Sequence, residues 1–165
     1  MTQALSRRLK QARFTNSQQE ALLSVAVAAS TIQDVVDAVC ERHGLTRSQY
    51  NVLRILRGVY PEGHPRCEIA QRTIERAPDI TRLVDRLQAQ GFVRRSRGGT
   101  DQRQAIARIT PRGLKLLESI QPQIEETGTV LLGRLSDQEC HELSRLCALI
   151  FDNADATSEP GGELE

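Results

Sequence analysis

The sequence predicts a mainly α-helical fold that carries one small β-hairpin. Six segments repeat apolar residues at spacings of three and four, as amphipathic helices do. Between the fourth and fifth segments, two short strand-like runs flank Gly98-Gly99, which is a hairpin signal. Hydrophobic residues make up 39% and charged residues 26% of the 165-residue chain. This composition is ordinary for one globular domain and excludes disordered, collagen-like and disulfide-scaffold classes.

The first predicted helix is the longest. Residues 1–15 are assigned to an N-terminal arm, and Asn16 or Ser17 is expected to cap a helix that Gly44 ends. A helix of about 27 residues would be about 40 Å long, which exceeds the body of a small domain. We therefore expect segment 16–44 to be a dimerisation helix that packs against a second copy of the chain. Its apolar stripe consists of Leu22, Val25, Ala29, Ile32, Val36 and Val39.

Three short helices are predicted next. Thr46 and Gln49 form a capping box for the first of them, and the sequence YPEGHP at 60–65 is expected to be a turn. The next helix is expected over about residues 66–76, with three residues facing inward: Ile69, Ala70 and Ile74.

The fourth helix of the chain is expected to begin with Pro78 at its first helical position and to end at Gly91. Its predicted inner stripe consists of Ile80, Leu83, Val84 and Leu87. Two strands follow over 92–97 and 104–109. Three helices followed directly by a hairpin predict a winged helix-turn-helix over residues 45–113.

The last part of the chain predicts two more helices. Thr110 is expected to cap the first, with Pro111 at its first position and with bends at Pro122 and Gly128. A capping box from Ser136 to Glu139 opens the second. We assign residues 114–152 to two C-terminal helices and residues 153–165 to a disordered acidic tail.

Charge is distributed unevenly along the chain although the net charge is only +1. Residues 41–115 carry 16 basic residues against seven acids, a net charge of +9, and the remainder carries −8. Such asymmetry indicates that the middle of the chain faces a polyanion. Arginine supplies 20 of the 22 basic residues, and its forked donors suit phosphates and guanine edges.

The basic middle contains one helix face and one hairpin that could contact nucleic acid. The fourth helix exposes Thr81 and Arg82 in its first half, where a helix in a major groove reaches bases or phosphates. The hairpin carries five arginines opposed by Asp101 alone, which is a costly arrangement without a nearby anion: Arg94, Arg95, Arg97, Arg103 and Arg108. The competing interpretations are a solvated helix face and a merely soluble hairpin.

Over residues 45–113 the chain resembles the MarR family of winged helix-turn-helix transcriptional regulators. The matching segments are LTRSQYNVLRIL, ITRLVDRLQAQGFVRR, and DQR followed by ARITPRG, which is similar to the family's Asp-x-Arg and Leu-Thr-x-x-Gly signature. The resemblance implies a homodimer that reads a palindrome, with the recognition helix at 78–90 and the wing motif at Asp101 and Arg103. It also implies that segment 16–44 and C-terminal dimerisation helices at 114–152 form the dimer interface. The predicted interface residues are Leu22, Val25, Ala29, Ile32, Val36, Leu143, Leu146 and Ile150. Two departures are Ile109 where leucine is usual, and Ala77-Pro78 where polar base-contacting residues are common.

The resemblance also implies two kinds of site. The expected DNA contacts are Pro78, Asp79, Thr81, Arg82, Asp85, Arg86, Arg95, Arg97, Asp101 and Arg103. An effector pocket for a phenolic or other small aromatic anion is expected between the dimerisation helices and the winged unit. Its candidate residues are His43, Tyr50 and Arg54, although a staple tyrosine and a surface arginine are the competing interpretations.

Other function classes have little support in the sequence. The four cysteines form no CxxC pair, although family members that sense oxidants make Cys40 a redox candidate. Cys40 and His43 share a helix face, but two ligands do not make a zinc site. No catalytic or phosphate-binding motif is present, so we predict no enzyme and no cofactor.

Segment hydropathy predicts a cytoplasmic protein. No apolar run approaches the roughly 20 residues that span a bilayer, and no secretory signal is recognised. The alternative function that remains open is a winged-helix module that binds protein or RNA instead of operator DNA.

Overall fold

The computed structural model describes residues 3–11, 13–74, 79–97 and 105–158. These residues form seven α-helices and three β-strands, which confirms a mainly helical fold with a small sheet. In chain order the elements are α1 (Gln3–Leu9), α2 (Ser17–Arg42), α3 (Arg47–Arg57), β1 (His64–Pro65), α4 (Arg66–Arg72), α5 (Ile80–Ala89), β2 (Val93–Arg97), β3 (Ala105–Ile109), α6 (Pro111–Leu132) and α7 (Asp137–Ser158). The chain divides into two compact units, Met1–Glu125 and Glu126–Glu165.

Helix α2 begins and ends close to its predicted bounds. The Asn16 side chain accepts a hydrogen bond from the Gln19 amide at 2.8 Å, and Gly44 follows the helix with a φ of +70°. The apolar stripe is divided: Val39 is buried, whereas Leu22 and Ile32 are 69% and 42% exposed. Among the described residues of the first unit, the N-terminal half of the stripe is therefore largely exposed.

The length and composition of α2 also make it a candidate membrane span. This finding corrects the expectation that no segment of the chain is long and apolar enough. It is weak support for a membrane protein because core helices of water-soluble domains meet the same criterion. The C-terminal end of α2 is buried in the core of the first unit through Val39 and Cys40.

Helix α3 provides the centre of that core. Thr46 Oγ1 accepts from the Gln49 amide at 3.2 Å and Gln49 Oε1 accepts from the Thr46 amide at 2.9 Å, which is the predicted capping box. Its buried face packs with the inner faces of α4, α5 and the sheet. The fully buried side chains at this centre include Val52, Leu53, Leu56, Ile69, Val84 and Leu87.

The sheet has three strands in the order β1-β3-β2, all antiparallel, instead of the two predicted. The end of the predicted turn pairs with β3, with His64 opposite Ala107 and Pro65 opposite Ile106. Gly63 precedes this strand with a φ of +77°, and a side chain there would overlap the Ala107 carbonyl oxygen. The turn therefore requires glycine to bring β1 against β3.

Three details of the predicted helix-turn-helix are wrong. Helix α4 ends at Arg72, and both Ala70 and Ile74 are exposed instead of facing inward. Helix α5 begins at Ile80 with Asp79 as its N-cap, two residues later than predicted. Pro78 itself lies outside the described residues. The inner stripe of α5 is as predicted, with Ile80, Val84 and Leu87 buried.

Thr110 joins the sheet to α6. Its hydroxyl donates to the Gly91 carbonyl at 2.8 Å and accepts from the Gly113 amide at 3.1 Å. A Cβ on Gly113 would lie 2.7 Å from Ile109 Cγ1, so only glycine allows α6 to start this close to β3. Neither Pro122 nor Gly128 ends α6, which continues to Leu132.

The two ends of the chain contain more helix than expected. Helix α1 lies within the predicted arm and buries Leu5. Helix α7 opens with the predicted Ser136–Glu139 capping box and continues to Ser158. Residues 153–158 therefore do not belong to a disordered tail, and 159–165 lie outside the described residues.

Candidate nucleic-acid interface and cavity

The first turn of α5 holds an exposed arginine. Asp79 Oδ1 accepts from the Arg82 amide at 3.1 Å, and Asp79 Oδ2 lies 3.1 Å from Arg82 Nε. The Arg82 side chain is 79% exposed. Asp79 therefore caps the helix and orients the Arg82 guanidinium, which it contacts through Nε.

Arginines from two neighbouring elements contact the same turn of α5. Arg66 Nη1, at the start of α4, donates to Thr81 Oγ1 at 2.8 Å. From β2, Arg95 Nη1 lies 2.6 Å from Asp85 Oδ1, and Arg95 Nη2 donates to the Thr81 carbonyl at 3.5 Å. These contacts tie α5 to α4 and to the wing.

The strand register divides the wing arginines between two faces. Val93, Ala107 and Ile109 are buried on the inner face, and Arg95 lies opposite Ala107 on that face. Because side chains alternate along a strand, Arg94 and its direct partner Arg108 lie on the outer face. The hairpin is therefore not one uniformly charged surface.

The structure places four of the predicted DNA contacts on the exposed face of α5: Thr81, Arg82, Asp85 and Arg86. Arg95 reaches Asp85 on α5, and its side chain is 30% exposed. Arg97 pairs in register with Ala105, near the described end of the hairpin. Asp101 and Arg103 lie outside the described residues, so the predicted Asp101 contact is not described. Asp79 and Asp85 form ion pairs with Arg82 and Arg95, respectively. The contact between Arg95 and Asp85, which lies ten residues earlier in the chain, was not indicated by any sequence spacing.

A cavity of about 320 Å³ lies between α2, α3 and the segment that follows α4, within the first unit. Its lining residues are Ala29, Ile32, Gln33, Val36, Arg47, Ser48, Tyr50, Asn51, Arg54, Thr73, Ile74 and Ile124. Tyr50 and Arg54 are two of the three predicted effector residues, and the Arg54 guanidinium carbon lies 5.9 Å from the Tyr50 ring centroid. Its volume falls at the lower end of the range for small-molecule sites.

His43 is not part of that lining. Its Nε2 lies 2.7 Å from Nε2 of Gln123 on α6, which accounts for its position at the end of α2. Three residues of the predicted dimer stripe do line the cavity: Ala29, Ile32 and Val36. Thr73 and Ile74, which follow the end of α4 at Arg72, also line the cavity, and no sequence pattern predicted them there.

Burial governs the ionisation of two groups near the cavity. It raises the pKa of the Tyr50 hydroxyl, while the neighbouring Arg54 lowers it. Burial and the charge of Asp37 raise the pKa of the Cys40 thiol to about 11, against a lowering effect of Arg47. A fully buried, protonated thiol is a poor nucleophile, so the structure does not favour Cys40 as an oxidant sensor. In the described part of the chain, no three metal-ligating side chains come together.

The second unit exposes an apolar helix face. Leu143, Leu146 and Ile150 on α7 are 41%, 46% and 49% exposed, and Phe151 is 63% exposed. Single exposed apolar residues are ordinary, but a row of them along one helix indicates an interaction surface.

The elements described above define a winged helix-turn-helix protein, and solved structures of that class match it. A MarR transcription factor from Planctomyces limnophilus is 38% identical, and the match covers 83% of this chain and 99% of that one, with a TM-score of 0.64. The MarR family regulator Sco3205 from Streptomyces coelicolor, solved in complex with DNA, shares the fold at 23% identity and a TM-score of 0.76, over 93% of this chain and 98% of that one.

Curated relatives are also transcriptional regulators. The HTH-type regulator MhqR of Bacillus subtilis is 27% identical over 77% of this chain and 86% of its own length. The homoprotocatechuate degradative operon repressor of Escherichia coli is 28% identical over 66% of this chain and 72% of its own length. No family model matches the chain. On the strength of the 38% identical structure, the chain belongs to the MarR family of transcriptional regulators.

Proposed function

We propose that this protein is a homodimeric repressor that binds an inverted repeat in duplex DNA. The observation that carries the proposal is the exposed face of α5: its apolar stripe is buried, while Thr81, Arg82 and Arg86 face solvent. A major groove about 12 Å wide accepts such a helix. The related regulators support DNA as the ligand, and one of the structural neighbours was solved on DNA.

Self-association is the second part of the proposal. The exposed half of the α2 stripe and the apolar face of α7 are the surfaces that a second copy would cover. A two-fold dimer presents two α5 helices to successive major grooves, which favours an inverted repeat. The predicted division of the chain into dimerisation helices at 16–44 and 114–152 around a winged unit at 45–113 belongs to this proposal.

The cavity is the proposed effector site. Apolar side chains from α2 form one wall, and Tyr50, Arg47 and Arg54 add an aromatic ring and two cations. That chemistry suits a small aromatic or phenolic anion. The cavity is lined in part by Thr73 and Ile74, which lie between α4 and the recognition helix α5. A bound effector would therefore contact the segment that leads into α5. Neither a cofactor nor catalysis is part of the proposal, and the proposed location is the cytoplasm.

A gel-shift titration tests this function against the alternative of a protein- or RNA-binding module. The probe is the DNA upstream of the protein's own gene, with unlabelled RNA and scrambled duplex as competitors. We expect a discrete complex that scrambled duplex and RNA displace poorly. Equal displacement by RNA, or no complex with the duplex, would support the interaction module instead.

A further inference from the structure

Two arginines lie directly opposite each other on the outer face of the sheet. Arg94 on β2 is in register with Arg108 on β3, and we call these residues the outer arginine pair. Side chains directly opposite in an antiparallel pair have Cβ atoms about 4.5–5.5 Å apart, and like charges there are destabilising. Arg94 is exposed and Arg108 is half-buried, with its stem over Gly63.

The outer arginine pair differs from Arg82 and Arg95, each of which has a carboxylate partner. Arg95 is paired with Asp85 and Arg82 with Asp79. Among the described residues, no carboxylate lies within ion-pair distance of Arg94 or Arg108. A further guanidinium, that of Arg112, lies beside the start of β2, 5.1 Å from the Phe92 ring. The two guanidinium groups of the outer arginine pair therefore face each other without a carboxylate partner among the described residues.

We propose that the outer arginine pair binds backbone phosphates of the duplex that flanks the recognition site. This inference rests on the proposed DNA-binding function and extends the interface beyond α5 to the opposite face of the hairpin. A like-charge pair that is unfavourable in the free protein becomes favourable beside a polyanion. Planar guanidinium groups suit phosphate oxygens, and backbone contacts of this kind position a protein without reading bases.

Duplex DNA is the occupant that the fold favours. The hairpin is one strand layer thick, so its two faces are separated by little more than the side chains. Electrostatic attraction in solution extends over the Debye length, which is about 8–10 Å at physiological salt. Charges on the outer face can therefore attract a duplex held by α5 and the wing. The same strand β2 contacts α5 through the Arg95–Asp85 ion pair, so the two surfaces belong to one folded unit.

The test compares two duplexes that contain the same recognition site. The short duplex has about 20 base pairs, enough for two half-sites, and the long one adds about ten base pairs at each end. The full-length protein and its Arg94→Gln/Arg108→Gln variant are titrated at several salt concentrations. Each lost phosphate contact should reduce the slope of log affinity against log salt by about 0.9. We expect the variant to lose slope and affinity on the long duplex and to match the unmodified protein on the short one.

Three controls accompany the measurement. Arg42→Gln/Arg134→Gln removes the same charge from two other exposed positions and should keep the length dependence. Arg94→Lys/Arg108→Lys keeps the charge and should keep most of the slope. Thermal unfolding monitors folding, and the glutamine variant should be at least as stable because it removes a like-charge pair. If the double variant does not fold, Arg94→Gln alone should lose about half as much slope.

The possible outcomes separate this inference from the proposed function. If the unmodified protein binds the recognition site and the glutamine variant keeps the full slope on the long duplex, the outer arginine pair does not bind flanking phosphates. If the pair is needed for binding RNA or polyglutamate but not for the DNA slope, its occupant is a different polyanion. If the unmodified protein binds no duplex at all, the DNA-binding function itself is wrong, and this inference falls with it.

Discussion

Replacing Arg95 with glutamine tests whether this wing arginine braces the recognition helix or contacts DNA. Its guanidinium lies 2.6 Å from Asp85 and reaches the Thr81 carbonyl at 3.5 Å. The two side chains are 30% and 53% exposed, so solvent screens the pair. A pair of this kind contributes less than about 1 kcal/mol to the free energy of unfolding. We therefore expect Arg95→Gln to fold normally.

The effect of Arg95→Gln on DNA binding follows from the ion pair between Arg95 and Asp85. Asp85 already engages the Arg95 guanidinium, so Arg95→Gln should lose no phosphate contact, and the salt slope should fall by much less than about 0.9. Loosening of α5 should weaken specific binding by less than about 1 kcal/mol, or about fivefold. A direct phosphate contact would instead contribute about 0.9 to the slope.

Asp85→Asn provides the matched variant. It frees Arg95 and removes a negative charge from the proposed DNA surface, so we expect a steeper salt slope and tighter binding to non-specific duplex. The Arg95→Gln/Asp85→Asn double variant should return towards the original slope, because neither charge remains. Fluorescence anisotropy with a labelled duplex at several salt concentrations measures all four proteins. If the salt slope of Arg95→Gln falls by about 0.9, Arg95 contacts a phosphate and does not only support α5.

Three further predictions concern separate parts of the molecule. Arg82→Ala should relax the preference at one base pair in each half-site, at a cost of about 1–3 kcal/mol against the cognate sequence, and selection from randomised duplexes would show whether any position changes. Leu22→Asp should leave the folded monomer intact because Leu22 is 69% exposed, but it should break the proposed dimer by burying a charge; sedimentation of the unmodified protein as a monomer at micromolar concentration would contradict this. Peroxide should not release DNA by oxidising Cys40, because Cys40 is buried and its thiol pKa is about 11; release that is abolished in Cys40→Ser would overturn this expectation.

Local sequence signals predicted the parts of the fold that depend on neighbouring residues. The capping boxes at Thr46 and Ser136 appear as expected because each needs only a side chain and an amide three residues away. Helix α1 and strand β1 were missed for the opposite reason. A seven-residue helix with Leu5 as its buried contact has no periodicity to detect, and the two residues of β1 become a strand only by pairing with β3.

The candidate site was predictable to the same degree. The exposed face of α5 follows from its apolar stripe, since burying one side of a helix exposes the other. The Arg95–Asp85 ion pair on that face depends on how β2 lies against α5, which no sequence spacing encodes. Tyr50 and Arg54 reach the cavity because they lie one turn apart on α3, whereas His43 turns towards Gln123 on α6.

Hydroxyl-radical footprinting on the DNA upstream of the protein's own gene tests the central claim most directly. The proposed dimer should protect two half-sites whose centres lie about 10 base pairs apart on one side of the duplex. Inserting about five base pairs between the half-sites should abolish joint protection, because it turns them to opposite sides of the helix. Protection of one half-site alone, or a footprint that tolerates the insertion, would contradict a two-fold dimer that reads an inverted repeat.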